Sequence, residues 1–595
     1  MATAGVADLE AQTPPRNLVD LARRLRHVAA LPQATPAAVD HPVGWSDTFN
    51  IADQINRRYF TFSATVRAKT AHAYFYVQDG QAYDGAALQQ AAQTFESSIY
   101  PKDRAVFGDY RTPGPDGDTR IAIVNGAIAG VGGYFSASDE YPPSVIPYSN
   151  GRNAMYINTS AEAIGSAQYL STIAHELQHM IHWSVRPHDD SWLNEGMSML
   201  AQRLNGYAVG DVIPNFLSQP DVQLNGWAPD PLHAIPHYGA AYLFLEYFVE
   251  HFGGVGAIKE LLASRSPDLQ SFAGYLQRHA PNTTLDDVLA SWFVANYLDD
   301  PTVDGGRFAY QDPTLHAALA AAPLATGATV QSDIQQYAAR YTELRPVGDS
   351  ATLRFHGGTT ARLLHQDLPA GAVEWWGNRS DTMDSTLTHP VDLRAIAHAQ
   401  LDFSLWMDIE ASYDYCYVEA SRDGGKTWQT LPGTHSTTAN PNGQNYGNGY
   451  TGVSAAAAGG AAQWLDEEVD LTPYAGEQIL VRFEYVTDEA YNGPGVALRD
   501  VRIPAAGLDD AVQGHRGWSA SGWLLVDNVV SERFVVRVIL FGAHPRVLEV
   551  PLDATNSGSI RLTGFGSTVN RAVVVVGAMA PKTSEPGAYT LQLDP

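Results

Sequence analysis

The period of the apolar positions changes near residue 330 of this 595-residue chain. Before that point, apolar residues return at three- and four-residue steps over 84–98, 165–184, 191–205, 237–252 and 284–298, the period of helices with one buried face. After it, they alternate with polar ones in short runs such as 413–419, 479–485 and 534–541, separated by turn residues, which predicts strands that face a core on one side. The front reads as α+β and the back as β-sandwich. Residues 331–372 supply only two or three strands, at 341–344, 353–356 and 362–364, too few to bury a core alone. Residues 509–595 supply about six more, so the two pieces are expected to form one discontinuous sandwich. Residues 373–508 are then a second, jelly-roll-like sandwich inserted between them. Residues 59–330 make the front domain. Residues 1–58, rich in Ala and Pro with a short basic helix near 18–28, are expected to be a loosely structured leader.

Composition narrows the partners. Sixty-four acidic against 37 basic residues give a net charge of −27, which disfavours nucleic acid and anionic membranes. The single Cys416 excludes an intrachain disulfide and every multi-cysteine metal site. Placed between Tyr415 and Tyr417 in an alternating run, it reads as a small core residue. No run of eighteen apolar residues occurs, so no membrane span is expected. The start carries neither a basic n-region nor an apolar h-region.

The chemistry concentrates in "STIAHELQHMIHWSVRPHDDSWLNEGMSML", residues 171–200. Leu170, Ile173, Leu177 and Ile181 make an apolar stripe, and His175, His179 and His182 fall on the other face. His175 and His179 are one turn apart, so two imidazoles can converge on one ion, while Glu176 can reach a water bound there. Hydrolytic zinc needs three protein ligands and one open position, and Glu195, on its own helical segment, offers the third. His182 is the rival, but three ligands from two turns of one helix would crowd one side of a tetrahedral ion. It is read instead as supporting a ligand or as exposed. His188, Asp189 and Asp190 read as loop surface.

"HELQHMIHW" followed by "WLNEGMSM" resembles the gluzincin metallopeptidases, and most closely the hyicolysin family of secreted bacterial neutral proteases. "GVGGYFSASDEYP" and "NAMYINTS" are similar to that family's active-site sheet. "WWGNRSDTMDSTLTHPVDL", "YDYCYVEASRDGGKTW" and "VRFEYVTD" are similar to the β-domain of immune-inhibitor-A-type peptidases. The resemblance implies a zincin-type catalytic domain followed by two β-sandwiches, and an extracellular protein whose signal was removed ahead of Met1. It also implies zinc on His175, His179 and Glu195, with Glu176 as general base toward a water whose pKa falls to about 7. Where such β-domains read Asp-Asp before their last strand, this chain has Arg499-Asp500, which weakens any calcium site.

Four expectations complete the reading. Tyr238, with His237 as the alternative, supplies a second donor to the oxyanion. A strand within 131–138 forms the edge that pairs with an extended protein or peptide substrate. Asp381, Asp384, Glu410, Asp414 and Asp500 are candidates for a calcium site of hard oxygens. Trp375-Trp376 and the tyrosines of 446–450 are either core or a carbohydrate platform. Two other functions stay open: an aminopeptidase, which needs an acidic anchor where Tyr156 stands in "NAMYIN", and a glycan- or protein-binding surface protein with a relic peptidase fold.

Overall fold

The computed structural model describes residues 5–9, 11–28, 36–312, 315, 319–345, 348–455, 460–510 and 515–595. The chain is a multidomain protein with an α+β front and a β-rich C-terminal region. The front is built on a six-stranded mixed sheet, ordered β1 (Ser46–Asp53), β2 (Arg58–Lys69), β3 (Ala73–Gln78), β4 (Ile121–Gly126), β6 (Ala154–Asn158) and β5 (Gly133–Phe135). The central strands β3, β4 and β6 are parallel, and β5 runs antiparallel at the edge. Every residue of β4 and β6 is buried, as expected for parallel strands covered on both faces.

The helices that carry the ligand cluster lie against this sheet. N-terminal to the long helix α2 (Ala167–Val185), a shorter helix α1 (Leu18–Leu25) precedes the sheet; α3 (Ser191–Leu204) and α4 (Pro231–His251) follow. The Ser166 hydroxyl caps α2 by accepting from the Tyr169 amide, and Asp230 caps α4 by accepting from the amides of Leu232 and His233. Ile173, Leu177 and Ile181 sit in the shared core with Phe75, Ile121 and Met155. At Gly196 a β-carbon would meet Leu245 Cδ1 at 2.6 Å and Ala241 Cβ at 3.2 Å. Glycine is what lets α3 and α4 touch backbone to side chain.

Behind them stand two sandwiches. The first pairs Gln478–Val486 with Asp384–Asp392 and Tyr415–Ser421 in one sheet, and Gln400–Asp408 with Gly495–Ile503 and Leu465–Asp470 in the other. The second pairs Ser350–Gly357 with Ser557–Thr563 and Gly587–Asp594 in one sheet. Its other sheet pairs Val569–Ala578 with Phe534–Gly542 and Ala339–Arg345. Strand pairing moves both expected boundaries. Ala322–Ala325 and Thr329–Ile334 already belong to the second sandwich. Ser519–Ser521 and Leu524–Val526 pair with the first, so it runs past residue 508 to 526.

The expected loose leader differs most. Its residues 1–4, 10 and 29–35 lie outside the described residues. Ser46–Asp53 is a sheet strand, and α1 docks on the inserted sandwich, burying Leu18, Leu21, Ala22 and Leu25 against Tyr415, Tyr417, Trp428 and Val486. Burying each of those leucines stabilises by about 1.5–3 kcal/mol. Arg24 forks onto Glu484 at 3.0 and 2.8 Å and reaches Asp384 at 3.2 Å. An amphipathic eight-residue helix is marginal alone; a surface more than 350 residues downstream makes it stable here, and sequence windows do not see that surface.

Candidate metal centre

Helices α2 and α3 bring three ligand atoms together. Nε2 of His175 lies 3.0 Å from Nε2 of His179 and 3.1 Å from Oε2 of Glu195, and His179 Nε2 lies 3.4 Å from the same oxygen. Tetrahedral ligands at zinc distances of about 2.0–2.1 Å stand about 3.3 Å apart, so the spacing of these three atoms fits what one zinc ion would require. Among the described residues these three form the only group of three or more His, Cys, Asp or Glu side chains gathered closely enough to hold an ion.

Charge supports the same reading. Burial alone would lower the His179 imidazole, but Glu195 overrides it and raises the ring to about 9. Burial opposes the reverse effect on Glu195, whose carboxyl the two histidines hold far below its ordinary range. A proton is held where an ion fits, so metal must displace it and binding weakens in acid. His179 Nδ1 donates to Oδ1 of Asn194 at 3.0 Å, with Ser198 Oγ at 3.1 Å, so Nε2 is the nitrogen whose proton an ion would displace.

Glu176 is 4 % exposed, and its Oε2 has no protein partner. Burial pushes its carboxyl above the ordinary value, with His175 and His179 pulling the other way. Beside it runs β5, the free edge of the sheet. A β-carbon on Gly133 would meet Thr172 Cγ2 at 2.6 Å, the Tyr156 carbonyl at 2.8 Å and Glu176 Oε1 at 3.3 Å, so only glycine lets the edge strand lie this close to α2.

The structure separates the two candidate donors. The Tyr238 ring centroid is 6.5 Å from that of His175. Its phenol is held well above its usual value by burial and then by Glu195 and Glu176, and stays a donor. Both rings pack on Trp227, Tyr238 at 4.9 Å and His237 at 5.7 Å between centroids, but burial lowers His237 to about 4. Helix α4 begins at Pro231, so Pro236 is inside it and both candidates lie beyond its first turn.

His182 is neither a ligand nor exposed. At 1 % exposure it accepts from Gln178 at 3.2 Å and donates to Asp189 at 2.8 Å. Gln178 in turn accepts from Ser198 at 2.5 Å, which ties this chain to His179. The expected surface loop is an interface. Asp189 is buried against Arg186, Asp190 accepts from Ser380 at 2.8 Å, and His188 lies 3.2 Å from Thr382. The partners of His188 and Asp190 come from the inserted sandwich, about 190 residues away.

The five calcium candidates divide into two sets. Asp384 is bound by Arg24, and Asp500 lies on a left-handed backbone beside Arg499 at 3.6 Å. Asp381 accepts from Ser191 and Asn492. Glu410 and Asp414 sit with Asp488, which the sequence did not single out, and burial pushes Glu410 up to about 11 and Asp488 up to about 8. Asp384 and Asp500 thus have partners of their own, whereas Asp381, Glu410 and Asp414 stay together, Asp381 and Asp488 both raising Glu410 and Asp414 by their charge, after burial. Trp375, Trp376, Tyr446 and Tyr450 are buried core residues, not a platform, and Cys416 is buried as well.

Sequence reading also missed Asn194, Ser198, Gln178 and Glu162. Glu162 accepts from Thr172 at 2.9 Å, is 7 % exposed with Oε2 unpartnered, and is raised to about 7 by burial. Only for Asn194 was there a signal, its place next to Glu195.

Parts of this chain match known proteins. Residues 367–526 match the family described as Immune inhibitor A-like, MAM domain, ending where the strand pairing ends. The chain is 27 % identical over 150 residues to the Pre-pro-metalloprotease PrtV of Vibrio cholerae, covering 25 % of this chain and 15 % of that protein. It is 28 % identical over 120 residues to Immune inhibitor A of Bacillus thuringiensis subsp. alesti, covering 20 % and 15 %. To the Neutral metalloprotease ShpI of Staphylococcus hyicus it is 22 % identical over 247 residues, covering 37 % and 54 %. The matches therefore span between about a seventh and about half of these relatives' own lengths. The chain is similar over part of its length to bacterial metalloproteases, and its inserted sandwich is similar to the immune inhibitor A-like MAM domain.

Proposed function

We propose that this protein is a secreted zinc-dependent endopeptidase with a zincin-type catalytic domain of the gluzincin kind. The observation that carries this is the triangle of His175, His179 and Glu195 ligand atoms 3.0–3.4 Å apart, next to a buried Glu176 at a free sheet edge. The names of the partial relatives support it. Zinc held there would supply a Lewis acid that polarises a carbonyl and acidifies a water.

The side chains do the rest. Glu176, raised by burial, takes the proton of the attacking water and later delivers it to the leaving amine. Tyr238 donates to the developing oxyanion. The edge of β5 pairs with an extended protein substrate and fixes the scissile bond over Glu176. An endopeptidase is favoured over an aminopeptidase because Tyr156 is used up on Asp139, at 2.5 Å, and the nearby Glu162 carboxylate is sealed beneath the edge strand, so neither offers an anchor to a substrate amine. No described helix is long and apolar enough to cross a membrane.

The test is digestion of an unfolded protein such as casein, with and without a zinc chelator, with the cut sites read by mass spectrometry. Chelator-sensitive internal cuts are expected, abolished in Glu176→Gln. Release of single N-terminal residues would instead establish the aminopeptidase, and no chelator-sensitive cleavage would leave the binding protein.

A further inference from the structure

A cavity of about 380 Å³ lies where the front domain, both sandwiches and the N-terminal segment meet, within the roughly 300–1,000 Å³ range of small-molecule sites. Leu269, Ala273 and Leu285 give it aliphatic surface; Asp190, Asp268 and Lys582 give it charge of both signs, and Asp286 and Arg533, also in its wall, pair with each other at 3.1 Å. None of these residues takes part in the metal centre.

Two independent features mark it as built. Among the described residues, seventeen non-glycine residues have a left-handed backbone, and four of them line this one cavity: Asp268 (φ 44°), Tyr337 (φ 53°), Thr382 (φ 53°) and Lys582 (φ 59°). A β-branched threonine and a bulky tyrosine rarely adopt that conformation, and such strain gathers where a binding site over-determines the backbone. The second feature is electrostatic. The Trp192 indole N–H donates to Asp268. Burial and then Asp190 push the Asp268 carboxyl up to about 7, while Lys582 draws it down.

Two carboxylates sharing one space favour a cationic donor, which an ammonium supplies with charge-assisted hydrogen bonds. Lys582 spends one of its three donors on the Arg379 carbonyl at 3.0 Å and keeps two. A bare metal ion would leave Lys582 and the aliphatic surface unused, whereas a molecule with an ammonium, a carboxylate and an aliphatic side chain uses all three. We propose that this cavity binds a small α-amino zwitterion, a free amino acid or a dipeptide with an aliphatic side chain, its ammonium on Asp190 and Asp268 and its carboxylate on Lys582. Asp190 immediately precedes helix α3, which bonds Asp268 through Trp192, so the ligand rests against the base of the helix that carries Asn194 and Glu195. Binding stands or falls independently of the peptidase reading.

The experiment is calorimetric titration of the full chain with L-leucine and with Leu-Gly, and with isoamylamine as the amine lacking a carboxylate. One zwitterion per chain should bind, and whichever of the two binds more tightly identifies the source. Asp268→Asn, which can still accept from Trp192, and Lys582→Met should each weaken binding at least tenfold with zinc content and melting temperature unchanged. Absence of binding by both zwitterions would overturn the proposal. So would isoamylamine binding as tightly as leucine, or undiminished binding in both variants.

Discussion

With Asn194 Oδ1 3.0 Å from Nδ1 of His179, a proton is held on that side, so Nε2 is the nitrogen that would present its lone pair to a bound ion. Asn194→Ala should therefore weaken zinc binding roughly 10–100-fold, the scale for losing an outer partner of a ligating histidine, as measured by competition with a chromophoric chelator. Unchanged affinity would mean that Ser198 alone fixes the tautomer. Tyr238→Phe should leave zinc content and KM nearly unchanged and lower kcat roughly a hundredfold, the scale of one lost oxyanion donor, while His237→Ala does much less. That His175, His179 and Glu195 gather was legible, the two histidines from their one-turn spacing and Glu195 from its own helical segment. Asn194, Ser198 and Gln178 were not, because a hydrogen-bond partner to a ligand obeys no period. His182 was half legible: its exclusion as a ligand follows from crowding on one helix, but its burial depends on Asp189 and on Arg186, which is pinned to the Leu261, Ser264 and Ser266 carbonyls.

At the level of elements, the five helical periods and the strand periods lie close to α-helices and β-strands of the fold. Local periodicity carried them because each buries one face. Where each sandwich begins and ends was not legible, since the strands Leu524–Val526 and Ala322–Ala325 are short and acquire their sheet only through distant partners. We propose that residues 322–362 with 529–594 form one folding unit and that 373–526 form another, clasped by residues 12–28. A fragment of 373–526 should melt cooperatively and gain stability when a synthetic 12–28 peptide is added, whereas 527–595 alone, lacking Ala339–Arg345 and Ser350–Gly357, should stay unfolded or aggregate. A soluble, cooperatively folding 527–595 fragment would remove the partition. Within the full chain, Leu21→Ala should cost about 2–5 kcal/mol in denaturant unfolding, since Leu21 is fully buried.

Across the whole molecule, the acidic surplus is not confined to the solvated surface, because several carboxylates lie buried between the inserted sandwich and the front domain. Asp488 is raised to about 8, by burial first and then by Glu489. In the unfolded chain the group releases its proton near pH 4; in the folded chain it keeps it to about pH 8. Between those values the native state binds more protons, so this contribution to stability is full below about pH 4 and is lost as pH rises through about 8. Melting temperature, followed from pH 5 to 8.5 with zinc saturating, should fall, and Asp488→Asn should flatten that fall; an equal slope in the variant would assign it to other groups. The central claim, that zinc is held between two helices by His175, His179 and Glu195, is tested most directly by the metal content of the purified protein and two variants. About one zinc per chain is predicted for the wild type and for His182→Ala, and none for Glu195→Ala. Zinc retained by Glu195→Ala and shed by His182→Ala would contradict the account.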